Sequence, residues 1–380
     1  MLNFAFTDEQ ELFRKSVRKF AQTELAPGYL ERAKSDEFPW KIVEMMKRQG
    51  LFAINLDPKY GGQGADHVTT GIAIEEIARA DFNAVFCIGV GGPLEKFGTE
   101  EQRQEWLTRM GRGECFIGIA LTEPDCGSDA AAIRTTAVRD GDDYIINGEK
   151  SSISGVTWMH AYYLYAKTDP KAGARGVSCF ILPKDMPGVT ASRFRDLGCR
   201  PIGRGTLALE DVRLPVKNLI GKEGMGFKMV MGEFDFIRVF IALQCLGAAQ
   251  ASLEEAITYA KERHAFGRPI ARFEGVSFPI AEHYTLLEAA KLLCYKALWL
   301  RDQNLPHTKE AAMVKWWAPR LSVDIIHNCL LIHGHSGYSD EFPLEQRLRD
   351  VIGFQIADGT AQIQKIVVAR EIIGRDYLPY

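Results

Sequence analysis

The run Glu114-Cys115-Phe116-Ile117-Gly118-Ile119-Ala120-Leu121 marks the point where the chain changes its period. Before it, up to about Arg112, the signals are helical. Phe13, Val17, Phe20 and Ala21 recur at helical spacing, and Glu75 to Ala80 and the polar stretch Glu100 to Met110 also read as helix. Thr7 with Gln10 fits a capping box at the first helix. Turn clusters at Pro58 to Gly64 and Gly89 to Pro93 break the helices. After it come short runs rich in β-branched and aromatic residues: Ile117 to Leu121, Tyr144 to Ile146, Ala161 to Ala166, Val177 to Leu182 and Thr206 to Leu209. Gly, Asp or Pro separates these runs and no helical pattern lies between them, so the segment predicts an antiparallel barrel or sandwich, not a βαβ array. From about Gly226 the helical period returns in Phe234 to Arg263, Val276 to Asn304, Thr308 to His333 and Ile363 to Arg375, each long enough for a bundle helix. The expected organisation is α+β but mainly α: a helical domain over 1–113, a β domain over 114–225 and a helical bundle over 226–380.

The length of 380 residues, 46% of them hydrophobic, suits two or three packed units. Charged residues make up 25% and the net charge is -3, which gives no footprint for nucleic acid or an anionic membrane. An anionic ligand would have to be held by a few placed cations. The eight cysteines form no CxxC pair, and their irregular gaps predict buried thiols of a reducing compartment instead of a zinc site or a disulfide framework. No run of about 18 uninterrupted apolar residues is present, so no membrane insertion is expected. The N-terminus reads directly as helix without a signal peptide, and the expected location is cytoplasmic.

Four clusters carry residues suited to chemistry. In Ala120-Leu121-Thr122-Glu123-Pro124-Asp125-Cys126-Gly127-Ser128-Asp129, the hydroxyls of Thr122 and Ser128 and the open backbone at Gly127 could hold ring oxygens and a pyrophosphate. An ordinary turn has the same composition. In Asn147-Gly148-Glu149-Lys150-Ser151-Ser152-Ile153-Ser154, Asn-Gly predicts a hairpin. The following strand, with Ile153 and Ser154, either faces a flat cofactor or simply completes that hairpin. Arg263-His264-Ala265-Phe266-Gly267-Arg268-Pro269-Ile270 offers Arg263 to a phosphate and Phe266 to a ring face. A basic helix end with a glycine stop explains it equally well. After Arg347-Leu348-Arg349-Asp350 comes Ala357-Asp358-Gly359-Thr360-Ala361-Gln362-Ile363. Either Asp358 or Thr360 caps the last helix, or Asp358 offers a free carboxylate in a pocket and its N–H to a carbonyl. His333 and His335 have no third ligand nearby, so no metal is expected.

In order and spacing these clusters resemble the acyl-CoA dehydrogenase family over essentially the whole chain. The resemblance rests on Thr-Glu-Pro-x-x-Gly-Ser-Asp at 122–129, Arg-x-x-Phe-Gly-x-Pro-Ile at 263–270 and x-Gly-Thr-x-Gln-Ile at 358–363. Gly221 to Phe227 and Phe234 to Arg238 add to it. It implies an N-terminal helical domain, a central antiparallel β-barrel and a C-terminal four-helix bundle. It also implies a homotetramer, a dimer of dimers, that shares FAD across a subunit interface. Thr122 and Ser154 would bond the flavin ring beside Leu121 and Ile153, and Ser128 with Gly127 the pyrophosphate region. Arg263 and Phe266 would reach the FAD of a neighbouring subunit, and Thr360 and Gln362 would also touch FAD. Phe234, Asp235, Arg238, Arg370, Ser128 and Gly359 would line the acyl-CoA site. Asp358 would remove the α-proton while flavin N5 accepts the β-hydride, and an electron-transferring flavoprotein would take the electrons.

Six departures qualify the likeness. The family usually has Glu at the base position, and Asp358 is one methylene shorter, about 1.5 Å less reach. Misplacement on that scale costs roughly 100-fold in rate, so the shorter base suits an α-carbon that is closer or bulkier, with room left by Ala357 and Gly353. In this the chain resembles the cyclohexane-1-carboxyl-CoA dehydrogenases. Ser152 replaces a frequent Trp, Leu331 and His335 a frequent Gln and Gly, and Ala265 and Glu274 polar residues that often bond FAD. The alternatives are a straight short-chain dehydrogenase, an enoyl-CoA reductase of the same fold, or a non-catalytic flavin- or CoA-binding protein. The carboxylate at 358 speaks against the last.

Overall fold

The structure is a computed structural model that describes residues 5–89 and 91–378. Val90, inside the Gly89 to Pro93 turn cluster, lies outside the described residues. The first domain is helical: α1 (Asp8–Phe20), α2 (Tyr29–Lys34), α3 (Trp40–Arg48), α4 (His67–Ala80), α5 (Pro93–Phe97) and α6 (Glu100–Gly111). The capping box forms, with Gln10 N–H donating to Thr7 Oγ1 and Thr7 N–H to Gln10 Oε1, both at 3.2 Å. Helix α4 is buried nearly all round, from Thr70 to Ala78, because it packs between its own domain and the bundle.

The middle domain is one sheet of β1 (Ile117–Ala120), β2 (Thr136–Asp140), β3 (Asp143–Ser154), β4 (Ala161–Lys167), β5 (Val177–Pro183), β6 (Val189–Arg193), β7 (Arg204–Pro215) and β8 (Leu219–Ile220). The order is β6-β7-β3-β2-β4-β5-β8, with β1 paired to β4. The expectation of a wholly antiparallel sheet needs correction. β1 runs parallel to β4, with Ile117 opposite Ala161, and β2 meets β4 parallel at Thr136 and Lys167. Every residue of β4 is buried, the continuous apolar run that a strand covered on both faces requires.

The hairpin expected at Asn147-Gly148 is also absent. The chain reverses six residues earlier, at Gly141-Asp142, where Asp140 pairs with Asp143 and Gly141 has φ +61°. β3 runs straight through Asn147 and Gly148. The extra residue lies on β7, where the register passes from Val212 to Leu209 while β3 advances from Ile146 to Gly148. The Asn147 side chain holds that bulge, donating to Asp211 Oδ1 at 3.0 Å and accepting from Asp211 N–H at 2.9 Å.

The last domain holds α7 (Gly226–Glu262), a short ladder of β9 (His264–Ala265) and β10 (Arg268–Pro269), then α8 (Glu274–Asp302), α9 (Thr308–His333), α10 (Leu344–Ile352) and α11 (Ala361–Ile373). Among the described residues α7 is the one helix long and apolar enough to cross a membrane, a candidate that run length alone missed. Its apolar window is 89% buried, so it is the core helix of the bundle. The eight cysteines are free, all buried but the half-buried Cys199. His333 is buried and its Nδ1 lies 2.7 Å from Cys329 O, whereas His335 is exposed.

Candidate active site

Asp358 lies in the turn between α10 and α11. The cap of α11 is Thr360, whose Oγ1 accepts from Ile363 N–H at 3.4 Å, so Asp358 is released from that duty. Two successive left-handed residues, Asp358 at φ +51° and Gly359 at φ +94°, turn the chain. Asp tolerates that region at a cost on the order of 1 kcal/mol. Neither the carboxylate nor the N–H of Asp358 makes a hydrogen bond among the described residues. The residue is half-buried, but its carboxyl is enclosed. Burial raises the carboxyl above the usual Asp range, against the opposing pull of Lys315 and then Arg238.

One turn of α7 supplies Phe234, Asp235 and Arg238. Arg238 is 6% exposed and its Nε donates to Asp358 O at 3.4 Å. Its Nη1 donates to Asp235 Oδ1 at 3.3 Å, and its guanidinium sits 5.5 Å over the Phe234 ring. Asp235 Oδ2 accepts from Thr308 Oγ1 at 2.8 Å. Phe234, Asp235, Arg238, Asp358 and Gly359 therefore form one cluster. Glycine suits position 359 because its φ of +94° is one that L side chains rarely adopt. Arg370 stands half-buried roughly 14 Å up α11 from its first residue.

The second cluster is a ledge on the β domain. Ser151 N–H donates to Thr122 O at 2.8 Å and so joins the turn after β1 to the end of β3. Leu121 and Ile153 are buried beneath it, while Gly127, Ser128 and Ser154 are exposed and Thr122 half-buried. The hydroxyls of Thr122, Ser128 and Ser154 make no hydrogen bond among the described residues, and nothing lies within 4 Å of the Cβ position of Gly127. Free hydroxyls beside an uncrowded glycine turn suit the ring and phosphate oxygens of FAD. Ser152 is the extra residue of a second bulge, between Lys150 and Ile153, with φ +62° and its Oγ accepting from Arg204 Nη1 at 2.8 Å.

Lys150, within the Asn147 to Ser154 cluster, has a part that the cluster by itself does not announce. It is fully buried, and its Nζ donates to Leu121 O at 3.0 Å and Glu123 Oε1 at 2.8 Å. Glu123 also accepts from the N–H groups of Arg134 at 2.6 Å and Thr135 at 2.9 Å. Burial pushes the Lys150 ammonium down to about 8. Burial alone would raise Glu123, but Lys150 and the donated hydrogen bonds hold it below the carboxylate range. The signal was there to read: Tyr144, Ile146 and Lys150 fall on one side of an alternating strand.

Arg263 and Phe266 stand apart. Arg263 closes α7, and Phe266 tips the β9–β10 ladder at φ +52° with 95% of its surface exposed. From 238 to 263 the helix rises about 37 Å, so one chain cannot bring them to the Arg238–Asp358 cluster. Gln362 is exposed in a depression shared with Trp316, Arg320 and Lys365, beside the half-buried Thr360.

Residues 7–114, 118–212 and 224–373 match, in turn, the N-terminal, middle and C-terminal domains of acyl-CoA dehydrogenases. The probable acyl-CoA dehydrogenase YngJ of Bacillus subtilis (strain 168) is 37% identical, covering 98% of this chain and 100% of its own. The caffeyl-CoA reductase-Etf complex subunit CarC of Acetobacterium woodii is 38% identical over 97% of this chain and 100% of its own. Butyryl-CoA dehydrogenase from Megasphaera elsdenii superposes with a TM-score of 0.93 at 31% identity, over 98% and 100% of the two chains. The chain belongs to the acyl-CoA dehydrogenase family and is an oxidoreductase whose cofactor is FAD.

Proposed function

We propose that the protein dehydrogenates an acyl-CoA thioester whose α-carbon carries a ring or a branch, cyclohexane-1-carboxyl-CoA being the model substrate, with Asp358 as the base. One observation carries this reading: Asp358 is freed from helix capping and holds both a carboxylate and an N–H without hydrogen-bond partners among the described residues. The N–H can hold the thioester oxygen while the carboxylate takes the α-proton, so one residue supplies both oxyanion donor and base. Burial makes that carboxylate more basic than a surface Asp, which suits a weakly acidic α-carbon. Bound FAD supplies the acceptor for the β-hydride, and the product is the α,β-enoyl thioester.

Leu121, Thr122, Ile153 and Ser154 would seat the ring, Gly127 and Ser128 the pyrophosphate, and Thr360 and Gln362 a further part of FAD. Phe234, Asp235, Arg238, Gly359, Arg370 and Ser128 would line the CoA thioester. Arg263 and Phe266 would serve the FAD of a second subunit. Their separation from the Asp358 cluster supports the homotetramer, as do the exposed Phe278, Leu292 and Trp299 of α8. The short base favours a crowded α-carbon, and a Cβ at Gly353 would meet nothing within 4 Å. The name of the CarC relative favours an electron-transferring flavoprotein as partner, and as a second reading the reverse, enoyl-CoA reductase direction.

Anaerobic bleaching of the flavin with a panel of thioesters tests the proposal. Cyclohexane-1-carboxyl-CoA should bleach it faster than butyryl-CoA, and a strong preference for butyryl-CoA would refute the ring or branch. Asp358→Asn should abolish bleaching while FAD stays bound, and unchanged bleaching removes Asp358 from the mechanism.

A further inference from the structure

Side chains from three helices fasten the turn that carries Asp358. Lys315 of α9 donates to Phe354 O at 2.8 Å and to Gly359 O at 3.3 Å, the two ends of the turn. Gln364 of α11 donates to the carbonyls of Asp358 and Gly359, each at 3.4 Å. Arg238 of α7 adds its bond to Asp358 O. Lys315 is only 1% exposed. Burying an ammonium costs several kcal/mol unless its donors are used and a counter-charge lies near. Here the counter-charge is Asp358, and the other polar groups that face Lys315 are Arg238 and Cys245 of α7. Asp235 in turn faces Arg238, at 3.3 Å from its Nη1.

We propose that Lys315 is a positioning residue for the base: by gripping Phe354 O and Gly359 O it holds Asp358 in its left-handed conformation and aims the carboxylate. This inference rests on Asp358 being the base. Without the ammonium, the pair of left-handed residues is free to relax toward ordinary backbone. A carboxylate displaced by about 1 Å loses about 100-fold in rate. It also loses a neighbouring cation, so it takes up its proton at higher pH.

The test compares Lys315→Met, Lys315→Arg and Asp358→Asn as FAD-loaded enzymes, with the thioester that the wild type turns over fastest. Lys315→Met should lose about 100-fold in kcat, with KM within about threefold and FAD content and visible spectrum unchanged. The acid limb of its kcat profile should move up by about one pH unit. Lys315→Arg, which keeps charge and donors, should regain at least roughly a tenth of the wild-type rate. Wild-type kcat and pH profile in Lys315→Met would overturn the proposal, as would a loss that merely follows lost FAD. Should Lys315→Met fail to fold, Gln364→Met removes the other grip. It should cost about tenfold in kcat, and an unchanged rate there would equally overturn the proposal. Activity in Asp358→Asn sinks the base itself, whereas a dead Asp358→Asn beside a normal Lys315→Met sinks only the clamp.

Discussion

A lysine buried to 0% exposure has to justify its charge, and Lys150 does so by joining Leu121 O to Glu123 beneath the ledge of free hydroxyls. Removing the ammonium leaves Glu123 charged and enclosed, a loss of about 3–5 kcal/mol for a broken buried pair. Lys150→Met should therefore unfold at markedly lower denaturant concentration and bind FAD more weakly, and titration with FAD alongside urea unfolding checks both. Equal stability in the two proteins would show that the pair contributes nothing. Residues of this kind mark where the sequence is hard to read. Asp358 stood out because its spacing to Gly359 and Thr360 is recognisable within a few positions. Which of the two polar residues caps α11 depends on backbone geometry, and the structure assigns it to Thr360. Lys315 lies 39 positions before Phe354, the start of its turn, and only packing of α9 against that turn brings them together.

At the scale of elements, the strands differ from the helices in how their signals are overridden. A helix is set by its own period, which is why Thr308–His333 coincides with its expectation. A strand is set by its neighbours. Asn-Gly favours a hairpin locally, but at 147–148 the Asn side chain pairs across the sheet with Asp211 and the reversal passes to Gly141. The two glycines should then respond differently to a methyl group. Gly141→Ala meets nothing within 4 Å and suffers only its left-handed backbone, about 1 kcal/mol. Gly148→Ala would put Cβ 2.5 Å from Thr135 Oγ1 in the middle of β3 and should cost at least about twice as much. Denaturant midpoints of the two variants decide it, and equal losses would mean that the strand can shift away from Thr135.

At the scale of the whole molecule, the three domains meet at Asp350. Its carboxylate accepts from Asn83 Nδ2 of the first domain at 3.0 Å, Cys199 N–H of the second at 2.6 Å and Gln346 Nε2 of its own helix α10 at 3.3 Å. Asp350 was legible only as part of the motif Arg347 to Asp350, because a junction of distant segments leaves no local pattern. A similar gap separates two candidate site clusters, about 37 Å of α7 between the Arg238 cluster and Arg263. Phe266→Ser should leave the stability of the fold within about 0.5 kcal/mol, since the ring is 95% exposed, yet weaken FAD binding about tenfold if a second subunit supplies it. Undiminished FAD affinity would detach this residue from the cofactor. Asp350 makes a prediction of its own about pH. Burial raises its carboxyl to about 6 despite the three donors, from an unfolded value of 3.8. A raised folded value means that the folded chain holds the proton more tightly. The stabilisation is complete below the unfolded value and disappears as pH rises through about 6. Between pH 7 and pH 5 the wild type should gain about 1 kcal/mol that Asp350→Asn, which has no proton to bind there, does not gain. Urea unfolding of both proteins at the two pH values measures the difference directly. Parallel changes would mean that the junction carboxyl titrates like an ordinary surface Asp, and that relaxation or water at the domain contact relieves its burial.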